Sequence, residues 1–470
     1  MGASLYEIYL TCSCSPYYNI SYVIDYLGVW SLPVKVAKFG GSSLATAPQF
    51  EKVASIVKSD PEIHYVVPSA PGKAPEFPDK ITDMLYTCAY SYNTHACEEV
   101  FAQIEKRYLS IIRDLQLDLD LNPYLHTVLR NIKAGYGDHY AASRGEYLNG
   151  VILAKYLGFD FIDPADCIAF DENGQLDEAL THAQTKALLA GSDYAVIPGF
   201  YGSDSRGAVR TFSRGGSDIT GAIVARAAGA SVYENWTDVS GFLMTDPRIV
   251  DHPNTIKCIS YSELRELSYM GASVLHDEAI FPVRVAGIPI NIRNTNDPSH
   301  PGTMILPSLP EEAYDGPVTG IAGKKGFTSI QMERSKMNNE VGFARKVLQV
   351  LEDENVSLEH MPTGIDTLSV VVANSQIEGK LDRVLKKLQL ACNPDSIEVF
   401  SDMALIATVG HGMIRRVGIS AKLFSALADA GVNVRLIDQG SSELNIIVGV
   451  QNDDFEVAMR AIYASLTKEG

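Results

Sequence analysis

The sequence has little positive charge and no long apolar run. Its 470 residues include 39 Lys and Arg against 57 Asp and Glu, which gives a formal net charge of −18. A chain this acidic is poorly suited to bind nucleic acid or an anionic membrane surface. No stretch approaches the roughly 18 apolar residues that a membrane-spanning helix needs. We therefore expect no nucleic-acid or membrane partner, and any phosphate chemistry must depend on a few local basic residues and Mg²⁺.

Cysteine pairs and a signal peptide are also lacking. The seven cysteines are scattered, odd in number and without the spacing of a zinc site, a pattern typical of free thiols in a reducing cytoplasm. We expect a cytoplasmic protein without a structural metal. Residues 1–33 contain neither Lys nor Arg, whereas a signal peptide begins with basic residues. We interpret 1–33 as an N-terminal extension, expected to be poorly ordered.

The first large region has the pattern of a layered α/β domain. From Val34 to about Leu309, apolar strand-like runs alternate with amphipathic helical stretches. This alternation predicts a mostly parallel sheet, in which ligands bind at the carboxyl ends of the strands. Four prolines between Pro298 and Tyr314 mark a boundary. We therefore place the first domain at 34–312.

The pattern changes beyond this boundary. A β-α-β-β-α-β order runs from Thr328 to Phe400, and it repeats from Ala404 to Leu466 with one strand missing. This order predicts two ferredoxin-like units, at 316–400 and 401–470. An extra strand, Val318 to Ala322, lies upstream of the first unit. We expect it to complete the second unit, so that the first is inserted within it.

Glycine-rich phrases follow several of the predicted strands. In the first, Lys38 is followed by Gly40, Gly41 and Ser42. Glycine lets the backbone approach a ligand closely, free N–H groups at a helix start favour an anion, and Lys38 adds a positive charge. The spacing is neither a P-loop nor a dinucleotide fingerprint. The phrase therefore predicts a phosphate site, with a plain glycine turn as the alternative.

The second phrase places Arg214, Ser217 and Asp218 around Gly215 and Gly216. The guanidinium of Arg214 is suited to a substrate carboxylate, and Asp218 is suited to position a reacting group or Mg²⁺. Ser217 and Asp218 are also good N-cap residues. A ligand site and a simple capped helix both remain open.

Two further phrases carry polar residues beside predicted strands and helices. Thr237 and Asp238 follow a strand and are suited to hydrogen-bond a nucleotide, with Arg248 further on to reach phosphate; the alternative is a polar loop. Glu146, in a phrase that is expected to open a helix, either interacts with the helix dipole or binds an ammonium group. Ser69 lies in another glycine-containing turn.

Taken in order, these phrases closely resemble those of the aspartate kinases (aspartokinases), which belong to the amino acid kinase family. The tail resembles paired ACT domains, most clearly at QGSSELNI (439–446). The resemblance implies an amino acid kinase-like α/β domain followed by two ACT domains. The remaining matching phrases are KFGGSS, VVPSAPGK, KITDML, SRGEYL, IPGFYG, SRGGSDIT, WTDVSGFLMTDPR, GASVLH and NTNDPSHPGT.

The resemblance implies ATP-dependent phosphorylation of L-aspartate to 4-phospho-L-aspartate with MgATP, the first step towards lysine, threonine and methionine. The attacking carboxylate is already ionised at neutral pH, so no strong general base is needed. The implied roles are catalysis for Lys38 and Asp218; aspartate binding for Ser69, Thr82, Glu146, Arg214 and Ser217; and ATP binding for Lys38, Gly40, Gly41, Ser42, Thr237, Asp238 and Arg248.

The sequence departs from this pattern at two positions on the nucleotide side. Many family members have lysine where Ser273 stands and tyrosine where Leu243 stands. Lys257 or another base is a candidate to compensate. Two rival functions remain: a relative that phosphorylates glutamate, acetylglutamate or UMP, and a catalytically silent amino-acid sensor.

ACT domains imply regulation and self-association. Such units pair edge to edge across subunits and bind an amino acid, so we expect a homodimer or a dimer of dimers that is inhibited by an end product. Phe343, Glu359 and Asp366 are the candidate effector residues. The two carboxylates favour lysine over threonine as the inhibitor.

Overall fold

The computed structural model describes residues 33–213, 215–272, 277–309 and 316–467. Residues 1–32 of the predicted extension lie outside this part. The chain forms two compact units: the described residues up to Phe242 with 277–309, and 243–272 with 316–467. The sequence predicted that the first domain ends near residue 312. The structure differs in one stretch, because residues 243–272 group with the C-terminal unit.

The first unit is built on a mostly parallel sheet. Its central strand pairs in parallel with a neighbour on each side, so that Lys38 lies in register with Val67 on one strand and Asn235 on the other. In spatial order the strands are β3 (Asp160–Phe161), β5 (Ala195–Val196), β2 (Ile63–Pro68), β1 (Lys35–Phe39), β8 (Val232–Thr237), β10 (Ile290–Asn294) and β11 (Thr303–Leu306). A smaller sheet contains β4 (Ala169–Phe170), β6 (Tyr201–Asp204) and β7 (Val209–Thr211).

Helices pack against the larger sheet, several of them through an apolar stripe that faces inward. The core joins Phe39 and Val66 of the sheet to Phe50, Leu85 and Ile104 of the helices. The predicted fold class is thereby confirmed. The helices of this unit are α1 (Ala47–Ser59), α2 (Ile81–Tyr90), α3 (His95–Asp114), α4 (Asn122–Lys133), α5 (Gly137–Leu157), α6 (Glu178–Leu189), α7 (Gly216–Ala228) and α9 (Phe281–Ala286).

Two of these helices begin earlier than the sequence pattern indicates. Helix α5 starts at Gly137, so Glu146 lies well inside it rather than at its opening. Most of α5 is buried on all sides, so its start has no change in apolar periodicity to mark it. Helix α7 starts at Gly216 after Gly215, which has φ 59°. Ser217 and Asp218 therefore lie in its first turn and do not cap it.

The second unit contains a five-stranded sheet in the order β13 (Thr367–Ala373), β12 (Gly320–Glu333), β14 (Ser396–Val409), β16 (Asn445–Gln451) and β15 (Leu436–Asp438). Its other elements are β9 (Cys258–Ser260), α8 (Tyr261–Tyr269), α10 (Phe343–Asp353), α11 (Asn374–Ile377), α12 (Leu381–Cys392), α13 (Ile419–Asp429) and α14 (Phe455–Thr467).

Strands β12 and β14 are long enough to contribute residues to two separate hydrophobic cores, each covered by helices. The first part of β12, Gly320 to Lys325, pairs with the end of β14, and the rest pairs with the beginning of β14 and with β13. Ile321 accordingly packs with α13 and α14, whereas Ile330 packs with α10 and α12. This is the arrangement that the inserted-unit hypothesis requires.

The β-α-β-β-α-β pattern of the sequence predicts strands from Val356 to Met361 and from Val432 to Ile437, and both are shorter in the structure. The stretch from Val356 to Met361 forms only an isolated bridge, at His360, within the described residues. Pro362 follows directly, and proline has no N–H to donate to a ladder. Of the strand expected from Val432 to Ile437, only the end is regular, as the first part of β15.

Among the described residues, no helix is both long enough and apolar enough to cross a lipid bilayer.

Candidate active site

Three side chains meet at the carboxyl ends of the central strands. Lys38 Nζ lies 2.6 Å from Asp218 Oδ1 and 3.4 Å from Asn235 Oδ1. Asn235 Nδ2 donates to the same Asp218 oxygen at 2.8 Å. The side chains of Lys38 and Asp218 are 9% and 17% exposed. A lysine cation is therefore held in one place, largely out of water, by a carboxylate and an amide.

The packing of α7 on β8 fixes Asp218. The Tyr233 hydroxyl donates to the backbone oxygen of Asp218 at 3.2 Å. A Cβ on Gly221, one turn further along α7, would lie 2.4 Å from that hydroxyl. The helix consequently approaches the strand more closely than a larger residue would allow.

The two glycine turns touch each other backbone to backbone. Gly40 N donates to Trp236 O at 3.0 Å, and Gly72 N donates to Gly41 O at 2.7 Å. A Cβ on Gly41 would lie 2.9 Å from Ala70 O. The first turn is a 3₁₀ segment, Gly41–Leu44, and α1 begins only after it. The turns after β1 and β2 thus form a single backbone surface.

Glu146 points its carboxylate at the second turn. It is 6% exposed, and its Oε1 accepts from Ala70 N at 3.2 Å. Its Oε2 is buried without a hydrogen-bond partner in the described part of the chain. Burial raises the pKa of Glu146 to about 7. A cation placed beside this oxygen would restore the ionised form.

Other predicted site residues lie in the same unit. Ser69 O accepts from Asn149 Nδ2 at 2.7 Å, Thr82 lies in the first turn of α2, and Ser217 is buried in α7. Thr237 Oγ1 accepts from Val239 N at 3.0 Å. The exposed Asp238 directly follows β8, and the part-buried Ser42 lies in the turn after β1.

Three predictions fall elsewhere. Arg248 belongs to the second unit, where it forms a 2.6 Å ion pair with Asp246 and holds the pKa of that carboxyl below its usual value. Arg214 and Ser273 lie outside the described residues. The role assigned to Arg214 and the effect of serine at position 273 stay predictions.

Sequence reasoning missed Asn235 as a site residue. Its phrase was recognised, but its side chain was given no role. The signal would have been the pairing of β1 with β8, which places Asn235 beside Lys38.

The acidic residues fit a metal that arrives with the nucleotide. No group of three or more His, Cys, Asp or Glu in the described residues is placed to hold a metal ion. Mg²⁺ commonly binds through phosphate oxygens, waters and one or two carboxylates. Asp218, beside Lys38, is the carboxylate placed to contribute.

The three candidate effector residues have different neighbours. Phe343 is 3% exposed in the core of α10 and α12. Glu359 Oε2 accepts from the Tyr269 hydroxyl at 2.6 Å and lines a cavity of about 450 Å³. Asp366 accepts from Lys336 N at 2.8 Å.

Comparisons with known proteins identify the family of this chain. The model of the amino acid kinase family matches residues 33–294, and an ACT domain model matches residues 406–466. The chain is 39% identical over 447 residues to aspartokinase 3 of Bacillus subtilis (strain 168), covering 92% of this chain and 98% of that protein. It is 28% identical over 465 residues to the chloroplastic aspartokinase 1 of Arabidopsis thaliana, covering 93% and 80%.

Solved structures give the same result. The crystal structure of Clostridium acetobutylicum aspartate kinase matches with a TM-score of 0.85 and 53% identity, covering 93% of this chain and 100% of that one. Escherichia coli aspartokinase III, solved with aspartate and ADP, shares the fold at a TM-score of 0.70 and 24% identity, covering 93% and 100%. The resemblance of the sequence phrases is confirmed: the chain belongs to the amino acid kinase family and, within it, to the aspartokinases.

Proposed function

We propose that this chain transfers the γ-phosphoryl group of ATP to the side-chain carboxylate of L-aspartate, forming 4-phospho-L-aspartate. The observation that carries the proposal is the contact of Lys38 with Asp218 and Asn235 beside two joined glycine turns. The product begins the route to lysine, threonine and methionine.

Lys38 supplies the charge that the transfer needs. Phosphoryl transfer depends mainly on positioning and on neutralising charge that develops on the phosphoryl oxygens. Asp218 and Asn235 hold the Lys38 ammonium where β1 ends. Mg²⁺, when bound with ATP, neutralises charge on the β- and γ-phosphates. Backbone N–H groups of Gly40, Gly41 and Ser42 are the proposed phosphate donors.

The acceptor needs orientation rather than activation. A carboxylate is already ionised at neutral pH, so no side chain has to remove a proton from it. The unpartnered Oε2 of Glu146 is suited to the substrate ammonium group. Ser69, Thr82 and Ser217 are proposed to complete the aspartate site, with Arg214 on the second carboxylate.

The nucleotide is proposed to lie towards the end of β8. Thr237 is the last residue of that strand and Asp238 follows it; both are suited to hydrogen-bond the ribose or base. The phosphate contact that the sequence resemblance implies for Arg248 stays a prediction; this residue pairs with Asp246 within the second unit.

The test measures ADP release from MgATP with L-aspartate, L-glutamate, N-acetylglutamate or UMP in parallel. We expect turnover with aspartate and a loss of at least about 1,000-fold in Lys38→Ala, because charge stabilisation is the largest contribution. The control is Lys52→Ala, an exposed lysine that contacts Asn296. Turnover with another acceptor but not with aspartate would favour the rival in which the chain phosphorylates that acceptor. No turnover with any acceptor, while an effector amino acid still binds, would favour the catalytically silent sensor.

We further propose that an end-product amino acid, lysine rather than threonine, inhibits the enzyme through its ACT units. Glu359 and Asp366 provide negative charge suited to a cationic side chain. An effector acts by binding one conformational state better, with a coupling of about 1–3 kcal/mol. Isothermal titration with lysine and threonine in parallel tests this, and binding of threonine alone would contradict it.

Self-association is proposed to occur through the same units, in the cytoplasm. Helices α10 and α13 start alike: Val341 and Val417 are fully exposed, and each precedes a glycine with positive φ. Burying these two valines between subunits would remove apolar surface from water, which favours association. Sedimentation should show a dimer or a dimer of dimers, which Val341→Asp with Val417→Asp should weaken.

A further inference from the structure

A buried arginine lies behind the two glycine turns. Arg107, in the middle of α3, is 1% exposed. Within the described part of the chain its guanidinium donates to three backbone carbonyls: Asp79 O at 3.3 Å, Ala45 O at 3.3 Å, and Gly72 O. The group therefore carries a full charge but binds neutral acceptors.

The three carbonyls belong to the segments that build the proposed site. Ala45 directly follows the 3₁₀ turn after β1, Gly72 lies in the turn after β2, and Asp79 lies just before α2, which carries Thr82. The first two segments also touch through the Gly72–Gly41 hydrogen bond. One side chain thus connects the proposed phosphate turn to both parts of the proposed aspartate site.

The contact with Gly72 fixes the orientation of a peptide plane. In a trans peptide the carbonyl and the next N–H point in opposite directions. Because Arg107 binds the Gly72 carbonyl, the N–H of Lys73 is directed away from Arg107. Glycine rotates more freely than other residues, so this plane would otherwise be easy to reverse. Arg107 holds the peptide plane between Gly72 and Lys73 in one orientation.

The geometry requires a guanidinium in particular. Arginine presents five donors in a planar fork, whereas lysine presents a single ammonium. Burial lowers the pKa of Arg107, but arginine remains charged in proteins. The ring of Phe77, 5.2 Å from the guanidinium carbon, covers it.

We propose that Arg107 is a positioning residue that sets the distance between the phosphoryl donor and the acceptor by holding the two turns and the start of α2 together. The proposal rests on the proposed function of the same site. Two contacts of the proposed aspartate site do not depend on Arg107: Ala70 N still donates to Glu146, and Asn149 still donates to Ser69 O. We therefore expect substrate binding to change little when Arg107 is lost. A displacement of about 1 Å costs about 100-fold in rate, and this loss should fall on kcat.

The test compares Arg107→Lys with a variant that only destabilises the core. Ile104 lies one turn earlier on α3 and is fully buried; Ile104→Val or Ile104→Ala is chosen to match the melting temperature of Arg107→Lys. Arg113→Lys, on the exposed end of α3, controls for a charge-preserving change. If Arg107→Lys does not fold, Arg107→Gln replaces it.

We expect kcat to fall about 30- to 100-fold in Arg107→Lys, with each KM within about threefold of wild type, while both controls keep their kcat. Millimolar guanidinium should partly restore kcat in Arg107→Ala and not in the Ile104 variant. The inference would be overturned if kcat fell equally in Arg107→Lys and in the stability-matched Ile104 variant. It would also be overturned if Arg107→Lys changed only KM. If the wild-type chain does not release ADP with aspartate, the proposed function itself has failed.

Discussion

Lys38 illustrates how much of the site depends on single residues. It was identified in the sequence because a cation beside two glycines suits phosphate, and the structure places it against Asp218. Asn235 could not be identified in this way, because its role depends on which strand lies next to β1. A strand almost 200 residues away in the chain becomes that neighbour only through folding.

Two substitutions of Asn235 should show how much its hydrogen bond to Asp218 contributes, compared with its contact with Lys38. Asn235→Ala removes the amide that holds both Lys38 and Asp218, and we expect kcat to fall about 10- to 100-fold. Asn235→Asp keeps the size but replaces the donor to Asp218 by a second carboxylate, and the two like charges should repel. We therefore expect a larger loss in Asn235→Asp, measured as kcat for ADP release. Full activity of Asn235→Asp would show that the hydrogen bond to Asp218 is dispensable.

Glu146 should make stability depend on pH. Burial raises the pKa of Glu146 from its ordinary value of 4.5 to about 7, so the folded state binds the proton more tightly than the unfolded state. Ionisation therefore destabilises the fold: there is no cost below about pH 4.5, and the full cost is reached above about pH 7. At 1.36 kcal/mol per pKa unit, the cost approaches about 3 kcal/mol.

Without substrate, Glu146→Gln should accordingly be more stable than wild type at pH 8, by up to about 3 kcal/mol, and similar to it near pH 4.5. Denaturant unfolding at both pH values measures this. The exposed Glu51→Gln is the control. A stability difference that stays constant across this range would contradict the assignment. The KM for aspartate of the wild type should also rise below pH 7.

At the scale of elements, close backbone contact explains one of the two glycines after β1. A Cβ on Gly41 would lie 2.9 Å from Ala70 O, whereas one on Gly40 would have no neighbour closer than 3.6 Å. The phrase predicted glycines that face a ligand. The structure shows that at least Gly41 is also needed for the chain to pack against itself.

This contrast gives a matched pair of variants. Gly41→Ala forces the two turns apart, so we expect it to lower the free energy of unfolding by about 1–3 kcal/mol, as overpacking does. Gly40→Ala, with a φ of −69°, should change stability by less than about 1 kcal/mol. Chemical denaturation measures both. Equal losses in the two variants would rule out the turn contact as the cause.

The sequence predicted whether a segment forms a helix or a strand better than it predicted the residue at which the segment begins. Helix α5 has no periodic stripe because most of it is buried, and its start could not be located. The Gly215 start of α7 depends on a positive φ that composition alone does not reveal. Charge and glycine placement identify chemistry, whereas burial and backbone conformation decide where a helix begins.

At the scale of the whole molecule, the regulatory region is two cores joined by shared strands. Each long strand carries residues of both cores, which follows from the inserted order of the units. The sequence predicted this order from a strand count. It did not predict that 243–272 would group with the second unit, because that grouping arises from contacts between distant segments.

Hydrogen exchange should resolve the two cores. Ile321→Ala removes volume from the core of α13 and α14, and Ile330→Ala from that of α10 and α12. Each should cost about 2–5 kcal/mol. We expect faster exchange in β16 for the first variant and in β13 for the second. Loss of protection in the same strand for both would contradict the division into two cores.

The most direct test of the central claim is to trap the product. Hydroxylamine converts an acyl phosphate into a hydroxamate, so MgATP, L-aspartate and hydroxylamine should yield aspartyl hydroxamate and ADP in equal amounts, and Lys38→Ala should yield neither. ADP without hydroxamate, or hydroxamate formed with L-glutamate instead, would contradict the claim that this site phosphorylates the side chain of aspartate.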